Sequence, residues 1–179
     1  MDTARRLEGM KPVVGTFVPV DVVLGKLPAL SAGYRANPGG ASLVHGDAHP
    51  GNLHYDPSAG TTLIDTPNLP FSMDAAGTPI GSPARDYTAF VMRLRSFGLR
   101  SGLEDAEVDR LQEAAEQAYR SAGGPDLTAE ATAFFRARVA LADLAREARP
   151  LADVQGRIDL AMYPELAEAV DQMKAVFGL

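Results

Sequence analysis

The feature that most constrains this chain is a polar segment between apolar, β-prone runs. Residues 45–52 read HGDAHPGN and have apolar residues on both sides. Residues 53–55 and 61–64 are β-prone, and the stretch that separates them consists of turn formers. Two such runs joined by a short loop predict a β-hairpin. Asp65 follows the second run directly, so the sequence predicts a polar loop at one end of a hairpin and a carboxylate close to it.

The rest of the chain is patterned as helix. Residues 1–42 carry frequent Gly and Pro and form a lead-in segment, with at best a short helix at 20–34. Residues 84–179 form a helical subdomain. Its expected helices cover 87–98 with Gly98 as the C-cap, 104–122, 128–149 with Thr128 as the N-cap, 151–162, and 164–177 with Pro164 in the first turn. The predicted fold class is therefore α+β, mainly α, in a single domain over 1–179.

Composition excludes several classes of protein. A chain of 179 residues that is 46% hydrophobic and 22% charged can bury a core. Cys is absent, which excludes disulfides and thiolate metal sites. The net charge of −6 argues against nucleic acid as a partner. Pro19 and Asp21 interrupt the most apolar N-terminal stretch, so we expect no signal peptide, no membrane contact and a cytoplasmic location.

The polar loop has the residue types that phosphoryl transfer requires. Asn52 comes five residues after Asp47, and a second carboxylate, Asp65, comes after one hairpin. The first carboxylate can accept the proton of an attacking hydroxyl. An amide oxygen and a second carboxylate suit Mg²⁺ on the phosphates of a nucleotide. We therefore expect Asp47 to be catalytic, and Asn52 and Asp65 to bind the metal and the cofactor.

Three motifs in order resemble a known family. HGDAHPGN resembles the catalytic loop of the aminoglycoside phosphotransferase and choline kinase group, which has HGD where protein kinases have HRD. Residues 63–65, LID, resemble the metal-binding Asp segment of that group. Residues 81–87, GSPARDY, resemble its Gly-x-Pro-x-x-Asp-Leu-Ala helix start. The resemblance covers roughly residues 43–95 and implies the C-terminal lobe of a protein-kinase-like fold, with the catalytic loop and metal hairpin in 43–66.

The resemblance also implies a role for each matching residue. Asp47 would be the catalytic base, and Asn52 and Asp65 would be Mg²⁺ ligands. Asp86 would be a structural acid that braces the catalytic loop, and His45 and His49 would shape that loop. Each residue also has a plainer interpretation, because Asp and Asn are common turn formers and Asp86 could be a helix cap.

The implied function is Mg·ATP-dependent transfer of a phosphoryl group to a hydroxyl of a small acceptor, with GTP as donor left open. The acceptor could be an aminoglycoside, a choline-like amine, a sugar or another alcohol, and the acidic balance would suit a cation. A Gly-rich phosphate loop is absent before His45, and neither Lys11 nor Lys26 lies in a convincing strand. We therefore expect a truncated or split enzyme that needs an N-lobe partner chain or forms a homo-oligomer. Whether this chain alone turns over substrate stays open.

Two other functions compete with this one. The first is a non-catalytic binding or regulatory module derived from a kinase C-lobe. The second is a metal-dependent hydrolase, because His45, Asp47 and His49 alternate and would share one face of an extended strand, with His54 as a fourth ligand. Gly46 and the Pro50-Gly51 pair favour a loop over a strand, and the hydrolase leaves Asn52 and Asp65 without a role.

Overall fold

The chain is mainly helical. The computed structural model describes residues 2–66, 72–152, 154 and 158–179. Within these ranges the helices are α1 (Asp2–Gly9), α2 (Lys11–Val14), α3 (Val20–Ala36), α4 (Pro83–Arg100), α5 (Asp105–Ser121), α6 (Ala129–Ala148) and α7 (Pro164–Phe177). The strands described are β1 (Leu53–Asp56) and β2 (Gly60–Leu63), which form a two-stranded antiparallel sheet. The predicted α+β class with a helical majority is confirmed.

The residues divide into two compact units. The central unit comprises residues 37–135, and the terminal unit comprises residues 1–36 and 136–179. The loop, the hairpin, α4 and α5 belong to the central unit. The terminal unit contains α1 to α3, α7 and most of α6.

The terminal unit has an aliphatic core. Its largest fully buried side chains are Leu7, Val14, Val18, Val23, Leu144, Leu166, Val170 and Met173. Helix α7 begins with Pro164 in its first turn and ends before Gly178, which has a φ of 60°. Proline in the first turn is the signal that was noted for 164–177, and this helix is confirmed. The left-handed glycine after its end is a common helix C-cap.

Two predictions in the terminal unit are wrong. The lead-in was expected to hold at most a short helix at 20–34, but α3 is 17 residues long and includes Pro28. Pro28 lacks a backbone donor, yet buried Val20 and Val23 anchor the helix. The single helix expected over 151–162 is not formed. Val154 and Ile158 lie outside any helix, and the turns on either side of them are 3₁₀. Residues 153 and 155–157 of that prediction lie outside the described residues.

The predicted hairpin is confirmed in the central unit. Leu53 pairs with Leu63 and Asp56 pairs with Gly60. The turn is closed by the Asp56 side chain, whose Oδ1 accepts hydrogen bonds from the hydroxyl and amide of Ser58 and from the amide of Ala59. These bonds lower the pKa of Asp56. Gly60 has a φ of 85°, which a glycine adopts without strain.

The predicted end of α4 at Gly98 is wrong, and the reason is the packing of α4 against α5. The helix continues to Arg100, and Gly102, with a φ of 83°, follows its C-cap. A Cβ on Gly98 would lie 2.8 Å from a methyl carbon of Val108 in α5. Gly98 therefore permits a close helix contact and does not end the helix.

The ends of α5 and α6 lie within a residue of their predicted positions. Helix α6 begins after Thr128, whose Oγ1 accepts a hydrogen bond from the amide of Ala131 at 3.2 Å. This bond makes Thr128 the N-cap that was predicted. In the part of the chain that the structure describes, no helix is both long enough and apolar enough to cross a membrane.

Candidate functional site

Asp86 fixes the start of the polar loop to helix α4. Its carboxylate accepts a hydrogen bond from the backbone amide of His45 at 2.5 Å and from that of Gly46 at 2.8 Å. Asp86 lies in the first turn of α4, where the helix dipole favours a negative charge. Arg85, one residue earlier, donates a hydrogen bond from Nη2 of its guanidinium to the carbonyl oxygen of Gly46 at 3.3 Å. Charge-assisted bonds of this kind are about twice as strong as neutral ones, so they tie the loop firmly to the helix.

His45 joins the loop to the end of the hairpin. Its buried ring donates from Nε2 to the carbonyl oxygen of Ile64 at 2.7 Å and accepts at Nδ1 from the amide of Asp47 at 3.3 Å. A neutral imidazole with the proton on Nε2 satisfies both bonds. His45 thus connects the residue before Asp65 with the loop that carries Asp47.

Asn52 is the second residue that joins the loop to the end of the hairpin, and we call this contact region the junction. Its backbone oxygen accepts from the amide of Ile64 at 3.0 Å, and its side-chain Nδ2 donates to the carbonyl oxygen of Asp47 at 3.0 Å. The side chain is buried, and this bond leaves its amide oxygen as the atom that can meet a ligand. Ile64 is therefore held by both His45 and Asn52, which brings Asp65 next to the loop.

Asp65 has an uncommon backbone conformation. Its φ is 57°, and no other non-glycine residue that the structure describes has a positive φ. The left-handed conformation costs most L-residues about 1–2 kcal/mol, although Asp tolerates it better than bulkier residues. Strain of this kind concentrates at functional sites, where the surroundings hold a residue in place. Asp65 is exposed and stands directly after β2.

Asp47 forms an ion pair that the sequence analysis did not foresee. Arg93 of α4 lies with its Nη1 2.6 Å from Asp47 Oδ1. The Arg93 side chain is only 17% exposed, whereas that of Asp47 is 42% exposed. His49 Nε2 lies 3.6 Å from the second carboxylate oxygen. Arg93 therefore sets the direction of a carboxylate that remains accessible from solvent.

His49 begins the short 3₁₀ turn that positions Asn52. Its Nδ1 accepts from the amide of Gly51 at 3.1 Å, and its ring stacks on Phe97 of α4 with a centroid distance of 5.7 Å. A Cβ on Gly51 would lie 2.9 Å from His49 Cε1, so a larger residue there would displace the His49 ring. On the other side of the stack, the Arg100 guanidinium lies 5.1 Å from the Phe97 centroid.

The residues missed by the sequence analysis all lie on α4. Asp86 and Arg93 are about two helical turns apart, and that spacing puts two side chains on the same face of a helix. Arg93 could have been noticed in the sequence because it is a basic residue about two turns after Asp86, the acid that braces the loop. Phe97, a further turn along, gave no local signal, because aromatic residues on a helix are usually core residues.

The residues of the alternative zinc cluster, all of which the structure describes, are not arranged as a metal site. No group of three or more His, Asp or Glu side chains in the described ranges could hold a metal ion. Both ring nitrogens of His45 already have hydrogen-bond partners. His54 is exposed on β1, opposite Thr62. A metal-dependent hydrolase built on this cluster has no geometric support.

A magnesium site of a different kind fits the residues present. The Asn52 amide oxygen and the Asp65 carboxylate are hard oxygen donors, which Mg²⁺ prefers. Mg²⁺ is commonly held by one or two protein groups, and substrate phosphates and water fill the other positions. The donor chemistry therefore suits a metal that arrives with a nucleotide.

No protein-family model, curated protein sequence or solved structure matches this chain. Its function is therefore inferred from its motifs and from the geometry of the loop, the hairpin end and α4.

Proposed function

We propose that this chain is the catalytic lobe of a Mg·ATP-dependent phosphotransferase, similar to the aminoglycoside phosphotransferase and choline kinase group. One observation carries the proposal. Asn52 bonds to Asp47, and both His45 and Asn52 bond to Ile64, the residue directly before Asp65. A loop of mere turn formers has no need of a buried histidine and a buried asparagine that join it to the end of a hairpin.

The chemistry assigned to Asp47 is proton acceptance. The acceptor hydroxyl attacks the γ-phosphorus of ATP, a new oxygen–phosphorus bond forms, and the bond to the β–γ bridging oxygen breaks as ADP leaves. The hydroxyl proton moves to the Asp47 carboxylate. Because Arg93 holds Oδ1 at 2.6 Å, Oδ2 is the oxygen that receives the proton in this proposal.

Asn52 and Asp65 are proposed to hold the nucleotide through Mg²⁺, which neutralises phosphate charge when bound. The bond from Asn52 Nδ2 to the Asp47 carbonyl fixes the amide so that its oxygen can serve as a donor. The strained backbone of Asp65 supports the same role, since the junction must hold that residue in place.

The proposal includes a partner lobe. Residues 2–44, as described, form helices α1 to α3 and no strand, so the sheet that covers ATP in kinases has no counterpart in that range. The hairpin is exposed along nearly its whole length and presents Tyr55, Leu63 and Ile64 to solvent. Exposed apolar side chains next to Asp65 fit a surface that another lobe covers, either on a separate chain or on a second copy.

A regulatory module is the second candidate, and the Arg93–Asp47 ion pair favours it. One oxygen of the proposed base is already occupied at 2.6 Å. A kinase-derived lobe that only binds nucleotide has no need of an unoccupied base. Such a module would bind Mg·ATP through Asn52 and Asp65 without phosphorylating an acceptor.

Thermal unfolding with Mg·ATP tests the proposal. A ligand at about 100 times its Kd adds about 2.7 kcal/mol to the free energy of unfolding. For a chain of this size that raises Tm by roughly 5–11 °C. Asp65→Ala should remove the shift. Asp56→Ala should retain it, because Asp56 lies on the same hairpin but at the opposite end.

Each result has a defined meaning. A shift that needs Mg²⁺ and is lost only in Asp65→Ala supports nucleotide binding at the proposed site. An equal shift in Asp65→Ala, or none in any variant, contradicts the proposed metal role. If the shift is present, release of ADP with a panel of alcohols distinguishes the enzyme from the regulatory module, and Mg·GTP in parallel identifies the donor.

A further inference from the structure

A cavity in the central unit adjoins the polar loop. Helices α4 and α5, together with Pro125 and parts of residues 42–48, line an open cavity of about 510 Å³. This volume is within the usual range of small-molecule sites. Ala48, which directly follows Asp47, lines the cavity, and so does Asp86, which holds the loop. A molecule in this space would therefore lie next to the segment that carries Asp47.

The cavity lining is mostly apolar. Most of its side chains are aliphatic or aromatic, including Leu43, Phe90 and Val91. Of the described residues that line it, only Asp86 carries a formal charge. Both oxygens of the Asp86 carboxylate already accept hydrogen bonds from loop amides. The lining therefore offers no uncommitted carboxylate that could pair with a cationic amine.

Two tyrosines form an aromatic wall. The rings of Tyr87 on α4 and Tyr119 on α5 have centroids 4.9 Å apart, and the Tyr119 hydroxyl donates to the carbonyl oxygen of Pro125 at 2.7 Å. Burial raises the pKa of both tyrosines, so both are neutral at physiological pH. Aromatic faces of this kind favour flat aromatic or alicyclic bodies.

We propose that this cavity binds a neutral, largely apolar small molecule with an aromatic or alicyclic body, and that this molecule is the hydroxyl-bearing acceptor. The preference for an apolar body follows from the lining, and the preference for a neutral one follows from the fact that Asp86, the charged residue described in that lining, is already engaged. Its identification as the acceptor rests on the proposed phosphotransferase function. The acceptor class thus differs from the cationic amine that the acidic composition suggested.

A neutral fluorescent probe tests the cavity. N-phenyl-1-naphthylamine fluoresces strongly when it enters an apolar site. Ala118 lines the cavity from α5, and Ala118→Phe would fill part of it. Ala114→Phe is the matched control, because Ala114 is also exposed on α5 but does not line the cavity. We expect saturable binding that weakens by roughly tenfold or more in Ala118→Phe and stays unchanged in Ala114→Phe.

Competition identifies the chemical class. 2-Naphthol is a neutral aromatic alcohol and should displace the probe, whereas choline and an aminoglycoside should not. Equal displacement by choline would overturn the preference for a neutral ligand. No saturable probe binding, or equal affinity in the two phenylalanine variants, would overturn the cavity assignment.

The two proposals can fail separately. If the probe binds as expected but Mg·ATP causes no Asp65-dependent shift of Tm, the cavity stands and its occupant is not an acceptor. If the Mg·ATP shift is present but the probe does not bind, the nucleotide site stands and the cavity inference is wrong. Testing Ala118→Phe for the Mg·ATP shift also shows that this variant is folded.

Discussion

The two units of this chain bury different kinds of side chain. In the terminal unit the largest fully buried side chains are aliphatic, with Leu144, Leu166 and Met173 among them. In the central unit the buried set includes a group of polar residues. The buried polar or charged residues described there are His45, Asn52, Ser72, Ser82, Thr88 and Ser96, and Asp143 is the one described in the terminal unit.

The difference shows what the candidate site costs in stability. A buried aliphatic side chain stabilises by about 1.5–3 kcal/mol, whereas a buried polar group must find a hydrogen bond only to avoid a penalty. His45 and Asn52 both find such bonds. The central unit thus holds a specific loop geometry with less apolar packing, and the terminal unit shows the usual aliphatic core.

The strongest test of this comparison is the same substitution in each unit. Leu144 of α6 is fully buried in the terminal unit, and Leu111 of α5 is 42% exposed in the central unit. Leu144→Ala should lower the free energy of unfolding by about 2–5 kcal/mol. Leu111→Ala should change it by less than about 0.5 kcal/mol. Urea unfolding followed by circular dichroism measures both, and similar losses in the two variants would contradict the comparison.

A second test removes the brace of the polar loop. Asp86→Asn replaces a charged acceptor of two backbone amides with a neutral one, which should cost about 1.5–3 kcal/mol. Hydrogen exchange should become faster at the amides of His45 and Gly46. Asp171→Asn is the control, since that carboxylate is 79% exposed on α7 and should have little effect. Unchanged exchange at both loop amides in Asp86→Asn would show that the brace is dispensable.

The smallest test compares two glycines. A Cβ on Gly81 would lie 2.7 Å from a Val44 methyl carbon and 2.8 Å from the Ser42 carbonyl oxygen, so Gly81→Ala should destabilise by about 1–3 kcal/mol. Gly25 in α3 has nothing within 4 Å of such a Cβ. Gly25→Ala should therefore stabilise by about 0.5–1 kcal/mol through helix propensity. Thermal unfolding measures both, and a shift of the same sign in the two variants would contradict this packing.

The sequence predicted the elements that have local signals. The hairpin follows from turn formers between β-prone runs, and α6 and α7 follow from Thr128 and Pro164 at their starts. It underestimated α3, because Gly25 and Pro28 weaken helix propensity while buried Val20 and Val23 stabilise the helix through tertiary packing.

The candidate site was predicted only in part. Asp47, Asn52, Asp65 and Asp86 could be proposed from their spacing within motifs. The ion pair between Asp47 and Arg93 joins residues 46 positions apart; the spacing of Arg93 from Asp86 indicates a shared helix face but does not predict the contact with Asp47. The exposure of Leu111 on α5 cannot be predicted from local pattern either. Helical periodicity identifies an apolar face, but it does not tell whether that face is covered.

The contacts between α4 and α5 differ along their length. At one end the helices meet through Gly98 and Val108, and at the other end the rings of Tyr87 and Tyr119 are in contact. Gly98 lies about 16 Å along α4 from Tyr87 and is not among the residues that line the cavity. A larger residue at Gly98 would press on Val108 and push α5 away from α4. If the cavity binds a ligand as we propose, its selectivity would then depend on a residue that the ligand does not touch.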